Sequence, residues 1–351
     1  MAALTLERPQ IRSSLGIRST RSWRLSPLGS ARLCALAVAA AALLSACGSQ
    51  APQLVHTRTC VYSANLVDKL PAFDRLVSAR VTCALVFDTE QPTWATWEDP
   101  WFITSHIRAE NWTSFARRPG DLLIITVPLI PDQAVSQNWR LLGAQGAYDT
   151  YDRTLARNLI ANGLGRSIIR LAHEANGTWA PDNVGDTPAQ WAEWRQFWVN
   201  TVLAMDSVPG AHFSFNWCIA GGSRALPFKD YYPGDAVVDS IGVDVYDMGE
   251  PKGIPPGPRR WTYQYDRPGG IAAIAAFAKA HHKPLSIPEW GLEPTSAGGA
   301  GDDAAFVRGL AKLLRTTDVA FESYFDAEGS AAELTAGSAS LEAYRAMIGV
   351  R

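Results

Sequence analysis

The chain has 351 residues, of which 47% are hydrophobic and 19% charged, with a formal net charge of −2. That balance describes a globular protein rather than a disordered or collagen-like one. No basic stripe interrupts it, which takes nucleic acid off the list of expected partners.

The first 47 residues read as an export signal. Six arginines (Arg8, Arg12, Arg18, Arg21, Arg24 and Arg32) precede the apolar run LCALAVAAAALLSA, which ends at Cys47. A basic start, a short apolar core and small residues before a cleavage point have that meaning. The run spans 14 residues, short of the ~20 that a helix needs to cross a bilayer. LSAC at 44–47 resembles a bacterial lipobox, whose cysteine is lipidated and becomes the mature N-terminus. The alternative is ordinary cleavage nearby and a free secreted product. The expected location is therefore the outer face of the cell membrane, with a lipid anchor at Cys47, or the secreted fraction. Residues 48–53 read as a short tether, and 54–351 as one domain, large enough for a substantial core and expected as a monomer. Removing a leader with six arginines and one glutamate takes the net charge from −2 to about −7.

Beyond the tether, β-branched and apolar runs alternate with amphipathic stretches. Strands are predicted over 54–64, 81–88, 121–131, 166–174, 212–218, 237–247, 283–290 and 319–327. Helical patterns fill 66–78, 150–163, 188–205, 270–282, 302–315 and 338–349. Eight strands, mostly separated by helices, predict an α/β chain folded as a (β/α)8 TIM barrel. The rival is an open doubly wound sheet, which usually carries a Gly-rich turn after an early strand; none is found here.

Cys60 and Cys83 fall in the first two predicted strands. An exported protein can keep such a disulfide, but the sequence leaves open whether the two side chains face each other. Cys218 sits in an apolar strand and reads as a buried thiol. No CxxC pair occurs and no His/Cys cluster has metal-ligand spacing, so no metal is expected. Trp94, Trp97, Trp101 and His106 follow the second strand, Trp179 follows the fourth, and a Pro/Gly-rich stretch at 248–266 follows the sixth. These are either cleft walls or packed surface loops.

In a barrel the loops after the strands form the reactive face. Glu174 closes the fourth predicted strand and Glu289 the seventh, so both lie on that rim, nearly across from one another. A pair of carboxyls about 5–5.5 Å apart suits a retaining glycosidase, one ionised to attack and one protonated to help the leaving oxygen depart. Unrelated strand-end glutamates are the alternative. Alternation would put Arg170, Ala172 and Glu174 on one strand face, with Arg170 beneath Glu174 or near Glu289, depressing a carboxylate pKa. His173 either orients the acid or is a structural histidine. Tyr246, at the end of the sixth strand, is placed to hydrogen-bond Glu289 or simply to pack. Asp244 and Asp247 read as structural.

RLAHEANGTW (170–179) resembles the acid/base segment of glycoside hydrolase family 26. YYPGDAVVDSIGVDVYD (231–247) is similar to the sixth-strand segment of that family, and PEWG to its nucleophile strand. YFDAEG followed by SLEAYRAMIG looks like its closing strand and helix. The resemblance implies a (β/α)8 retaining endo-β-glycanase acting by double displacement, with Glu174 as acid/base and Glu289 as nucleophile. It further implies Trp179 and Trp217 at the sugar subsites, with Trp290 and His173 among the substrate contacts and Tyr246 supporting the nucleophile. The substrate partner is then a polysaccharide, first of all β-1,4-mannan, and no cofactor is needed because the carboxylates supply acid, base and nucleophile. A β-glucanase, a β-xylanase or a transglycosylase acting on cell-envelope polysaccharide is the alternative enzyme. A glycan-binding lipoprotein or inactive barrel is the non-enzymatic one. One departure stands out: the eighth strand ends in Tyr324, Phe325 and Asp326, with no tryptophan platform.

Overall fold

Eight parallel strands close into a barrel in plain chain order. They are β1 (Arg58–Tyr62), β2 (Cys83–Phe87), β3 (Leu122–Val127), β4 (Ile168–Leu171), β5 (Ser214–Ala220), β6 (Ser240–Tyr246), β7 (Leu285–Gly291) and β8 (Val319–Phe325). Each predicted strand forms, most of them trimmed at their ends, while β5 runs two residues and β7 one residue beyond the predicted end. The computed structural model describes residues 57–349 apart from 89–90, 225, 249–252, 256 and 328–333. All of these fall within the compact unit Leu54–Arg351. The export signal, Cys47 and the tether lie outside the described residues.

The strands are apolar on both faces because both are covered: one by the barrel interior, the other by helices. Alternate residues such as Val61, Val86, Ile125, Ile169 and Val243 pack outward against Phe73, Trp198, Ile274 and Leu341 of the surrounding helices. The opposite parity faces inward, where Cys60, Cys83, Leu85, Ile124 and Phe321 form a second, smaller cluster. Val61 pairs with Ala84, which sets Cys60 opposite Cys83 on adjacent strands. Those two cysteines form a disulfide within the barrel interior.

The helices Leu70–Val77, Asp149–Ala161, Pro188–Asp206, Ile271–Ala280, Ala304–Thr316 and Ala339–Gly349 match the predicted ones. The stretch at 248–266 is a correction: rather than a simple loop it contains the helix Pro258–Asp266, with proline in its first turn, where the missing N–H costs nothing. Among the described residues no helix is long and apolar enough to cross a membrane.

β7 departs from regular pairing. Gly242 pairs with Ser286 but Val245 with Trp290, and on the other side Ile287 pairs with Glu322 but Trp290 with Tyr324. Both neighbours thus count one extra residue in β7 between Ser286 and Trp290, which is a β-bulge. Pro288, which has no N–H to give to the ladder, lies within it. A Cβ added to Gly242 would come within 2.8 Å of Ser286 Oγ and 3.0 Å of Pro288 Cγ, so Ser286 and Pro288 both lie on its side. Without the bulge, strict alternation would send Glu289 outward.

Candidate active site

β4 stops at Leu171, earlier than alternation through residue 174 requires. Ala172 and Glu174 then adopt left-handed backbone, with φ of 48° and 52°. The expectation that Arg170, Ala172 and Glu174 share one strand face is therefore corrected. Arg170 points into the barrel, Ala172 is buried in the outer core, and Glu174 is lifted over the mouth by a turn. Backbone held in this region costs energy and persists only where surrounding contacts fix it.

Arg170 is fully buried. Its Nη1 donates to Glu289 Oε1 and its Nη2 to Asp244 Oδ2, both as ion pairs. Asp244 Oδ1 accepts the backbone N–H of Glu289 at 2.9 Å. That is the amide the bulge releases from the ladder. Cys218 Sγ also donates to Asp244 Oδ1, at 3.3 Å. The Tyr246 hydroxyl donates to Glu289 Oε2 at 2.8 Å. Both oxygens of Glu289 are thus held by donors on other strands. Trp179 Nε1 donates to Glu174 Oε2 at 2.9 Å. An indole can only donate, so a proton on Glu174 is best accommodated on Oε1.

One carboxylate oxygen from each of Glu174, Asp244 and Glu289 lies within 4.8 Å of the others. The guanidinium of Arg170 bridges two of these carboxylates, those of Asp244 and Glu289.

The environments push the two glutamates in opposite directions. Burial, then the charge of Glu289, raise the Glu174 pKa to about 7, against the pull of Arg170. Burial also opposes ionisation of Glu289, but Arg170, by its charge and its hydrogen bond, and the Tyr246 hydroxyl outweigh it and hold that carboxyl below its usual range. Tyr246 stays a neutral donor because burial and the Glu289 charge push its own ionisation well up. Burial and the Arg170 charge lower His173 to about 4, leaving it neutral. Its ring meets Phe87 edge-on at 5.4 Å.

Of the residues the sequence singled out, Arg170, His173, Glu174, Trp179, Tyr246 and Glu289 come together at the mouth. Two tryptophans do not. Trp217 is 0% exposed and packs against Tyr231, Tyr232 and Phe277 in the outer core. Its neighbours in β5 explain why: Asn216 faces inward to Ser240 and Ser286 and Cys218 inward to Asp244, so the residue between them faces out. Trp290 is likewise 0% exposed. It lies against Tyr324 and Tyr344 and donates to Glu322 Oε2 at 2.6 Å. The bulge that turns Glu289 inward returns Trp290 to the outward parity. Neither tryptophan is placed to meet a substrate. Trp94 stacks on Tyr151 at 4.3 Å and Trp97 is buried, so in that segment the packed-loop reading holds for both.

The sequence alone reads Asp244 as structural, yet it ties Arg170 to the backbone of Glu289. The available signal was its spacing of two from Tyr246, which puts both on the same strand face. Tyr62, Phe87 and Phe325 also lie beside the site, Phe87 against His173 and Phe325 against Tyr246. They are half-buried at the strand ends, with Tyr62 stacked on Phe325 at 4.4 Å and Phe87 edge-on to Tyr62 at 5.0 Å.

Fold and site together define a (β/α)8 barrel whose fourth and seventh strands deliver two differently tuned glutamates to one mouth. No family profile matches the chain, and no curated protein matches it by sequence. Solved structures do. The modular endo-β-1,4-mannanase of Cellulomonas fimi, from glycoside hydrolase family 26, aligns over 84% of this chain and 70% of its own, at 16% identity and a TM-score of 0.59. A family 26 endo-β-1,4-mannanase catalytic domain from a Bacillus species aligns over 84% and 86%, at 12% identity and a TM-score of 0.59. A Bacillus subtilis mannanase aligns over 82% and 87%, at 17% identity and a TM-score of 0.57. The chain is similar to these enzymes in fold.

Proposed function

We propose that the protein is a retaining β-glycanase of glycoside hydrolase family 26 type, directed first of all at β-1,4-mannan. The observation that carries this reading is the pair of glutamates with oxygens within 4.8 Å, one held protonated to about pH 7 and the other held ionised. Retaining enzymes place their two carboxyls about 5–5.5 Å apart, whereas inverting ones keep them about 6.5–9.5 Å apart to admit a water.

Glu289 attacks the anomeric carbon and forms a glycosyl ester as the bond to the leaving oxygen breaks. Glu174 transfers its proton to that oxygen, so the leaving sugar departs as an alcohol. A water then attacks the ester, giving its proton back to Glu174, and Glu289 is released as carboxylate. Arg170 and Tyr246 keep Glu289 ionised and aimed, and Trp179 offers an exposed ring beside the donor for a sugar to lie on.

Release of reducing ends from soluble mannan, glucan, xylan and arabinan tests the substrate. Glu174→Ala and Glu289→Ala should each nearly abolish it, with azide restoring Glu289→Ala and yielding the inverted glycosyl azide. Unchanged polysaccharide binding with no cleavage by the wild-type chain would instead establish a glycan-binding protein. A lipid anchor at Cys47 would hold the barrel outside the cytoplasmic membrane; fatty-acid labelling lost in Cys47→Ala checks it.

A further inference from the structure

The turn carrying Glu174 is held from behind by groups that do not touch its carboxyl. Asn176, buried, pairs both ways with the end of β5. Its Nδ2 donates to Ala220 O at 2.9 Å and its Oδ1 accepts from Ala220 N at 2.9 Å. Arg224, in the loop after β5, then reaches back across the whole turn. Its Nε donates to Asn176 O at 2.9 Å, its Nη2 to Gly177 O and Gly185 O at 3.5 Å each, and its Nη1 to the Asp186 carboxylate. One guanidinium thus joins both ends of the 176–186 segment, a task its planar fork of donors can perform and a lysine ammonium cannot. Gly177 is part of the same contact. A Cβ there would meet the Trp179 ring at 2.4 Å, so the indole that donates to Glu174 lies directly on backbone that Arg224 holds.

We infer that Arg224 is a positioning residue for the proton donor: by fastening both ends of the 176–186 segment beside β5 it keeps Glu174 and Trp179 in place over the mouth. The inference rests on the reading of Glu174 as acid/base. It has a consequence that a purely structural arginine would not have. Proton donation matters in proportion to the basicity of the departing oxygen, and a phenolate that leaves as a stable anion needs little of it. Loosening the donor should therefore harm poor leaving groups selectively.

The test compares kcat/KM, which reports the step in which the leaving group departs, for phenyl and 2,4-dinitrophenyl β-mannobiosides. Glu174→Ala should lose about 10²–10⁴-fold on the phenyl substrate and far less on the dinitrophenyl one. Arg224→Met should show the same selectivity at smaller amplitude. We expect a loss of about tenfold to a hundredfold on phenyl against less than about threefold on dinitrophenyl, since a misplacement near 1 Å can cost about 10². Methylguanidinium in solution should restore part of the phenyl activity. Arg224→Lys, which keeps the charge but not the fork, gives the same comparison if Arg224→Met does not fold. Equal losses on both substrates, or no loss on either, overturn the role of Arg224 while leaving that of Glu174 standing. If Glu174→Ala itself lacks the selectivity, the glycosidase reading fails and the inference with it; a wild type inert on both mannobiosides overturns the mannan assignment alone, and the same pair of leaving groups is then compared on the sugar that the glycan screen selects.

Discussion

Replacing Tyr246 by phenylalanine removes one oxygen and keeps the ring, whose centroid lies 5.9 Å from that of Phe325. What is lost is the 2.8 Å hydrogen bond to Glu289 Oε2. A bond to an ionised group is worth about 1.5–3 kcal/mol. It is made to the carboxylate far more strongly than to the protonated acid, so most of its loss becomes a shift in ionisation. At about 1.4 kcal/mol per unit, the Glu289 pKa should rise by about one to two units. The sign is fixed by its present state: the carboxyl lies below its ordinary value, chiefly because Arg170 overrides the effect of burial. Activity requires it ionised and is lost as pH falls through its pKa, so the acid limb of the profile moves upward in the variant. Measuring kcat/KM on the best glycan from about pH 3 to about pH 9 for both proteins reads this directly. The Arg170 pair to the other oxygen survives, so the variant should recover much of its activity above the displaced limb. An acid limb that does not move would refute the reasoning, because the phenol would then not be stabilising the ionised nucleophile.

The alkaline limb of the wild-type profile should fall near pH 7, where Glu174 gives up its proton. Trp179→Phe removes the 2.9 Å donor to its carboxylate and should move that limb upward by less than about one unit, since the ring is largely exposed. Because Glu174 is raised from an ordinary 4.5 to about 7, the folded state binds its proton more tightly than the unfolded chain does. Stability is therefore full below pH 4.5 and declines toward neutrality. Glu174→Gln should unfold at higher urea than wild type at pH 8, by up to about 3 kcal/mol, and show no such gain at pH 4. Replacing both Cys60 and Cys83 by alanine opens a loop with a sequence separation of 23 and should cost about 3 kcal/mol in chemical denaturation, with KM unchanged. Trp217→Ala should cost about 3–5 kcal/mol through the cavity it leaves, again without changing KM in the folded fraction; a raised KM would put that residue back in the cleft.

Much of this site could be read before any coordinates. Glu174 and Glu289 stand at strand ends, Tyr246 closes the strand next to β7, and Arg170 lies a few residues before the acid. Strand ends converge in a closed barrel, so their order along the chain carries real positional information. The misreadings share one cause, the parity of single residues. Trp217 and Trp290 sit among functional neighbours, but each stands one place along from an inward residue and so faces the helices. For Trp290 the parity depends on a bulge, and only Pro288 hints at it in the sequence. The break at Leu171 is of the same kind, since two left-handed residues reset the direction of Glu174.

What is local and periodic can be read from the order of residues. Alternating apolar runs of strand length, separated by amphipathic helices, specify a barrel, and the residues at the ends of those runs specify what chemistry its rim can hold. Which of those residues share an environment depends on how the strands close. Arg170 meets Asp244 across 74 positions and Glu289 across 119, and that meeting in a buried site makes one glutamate an anion and leaves the other an acid. No neighbour in the chain carries that information, because burial and the charges across the barrel set a carboxyl's ionisation, and both exist only once the strands have closed.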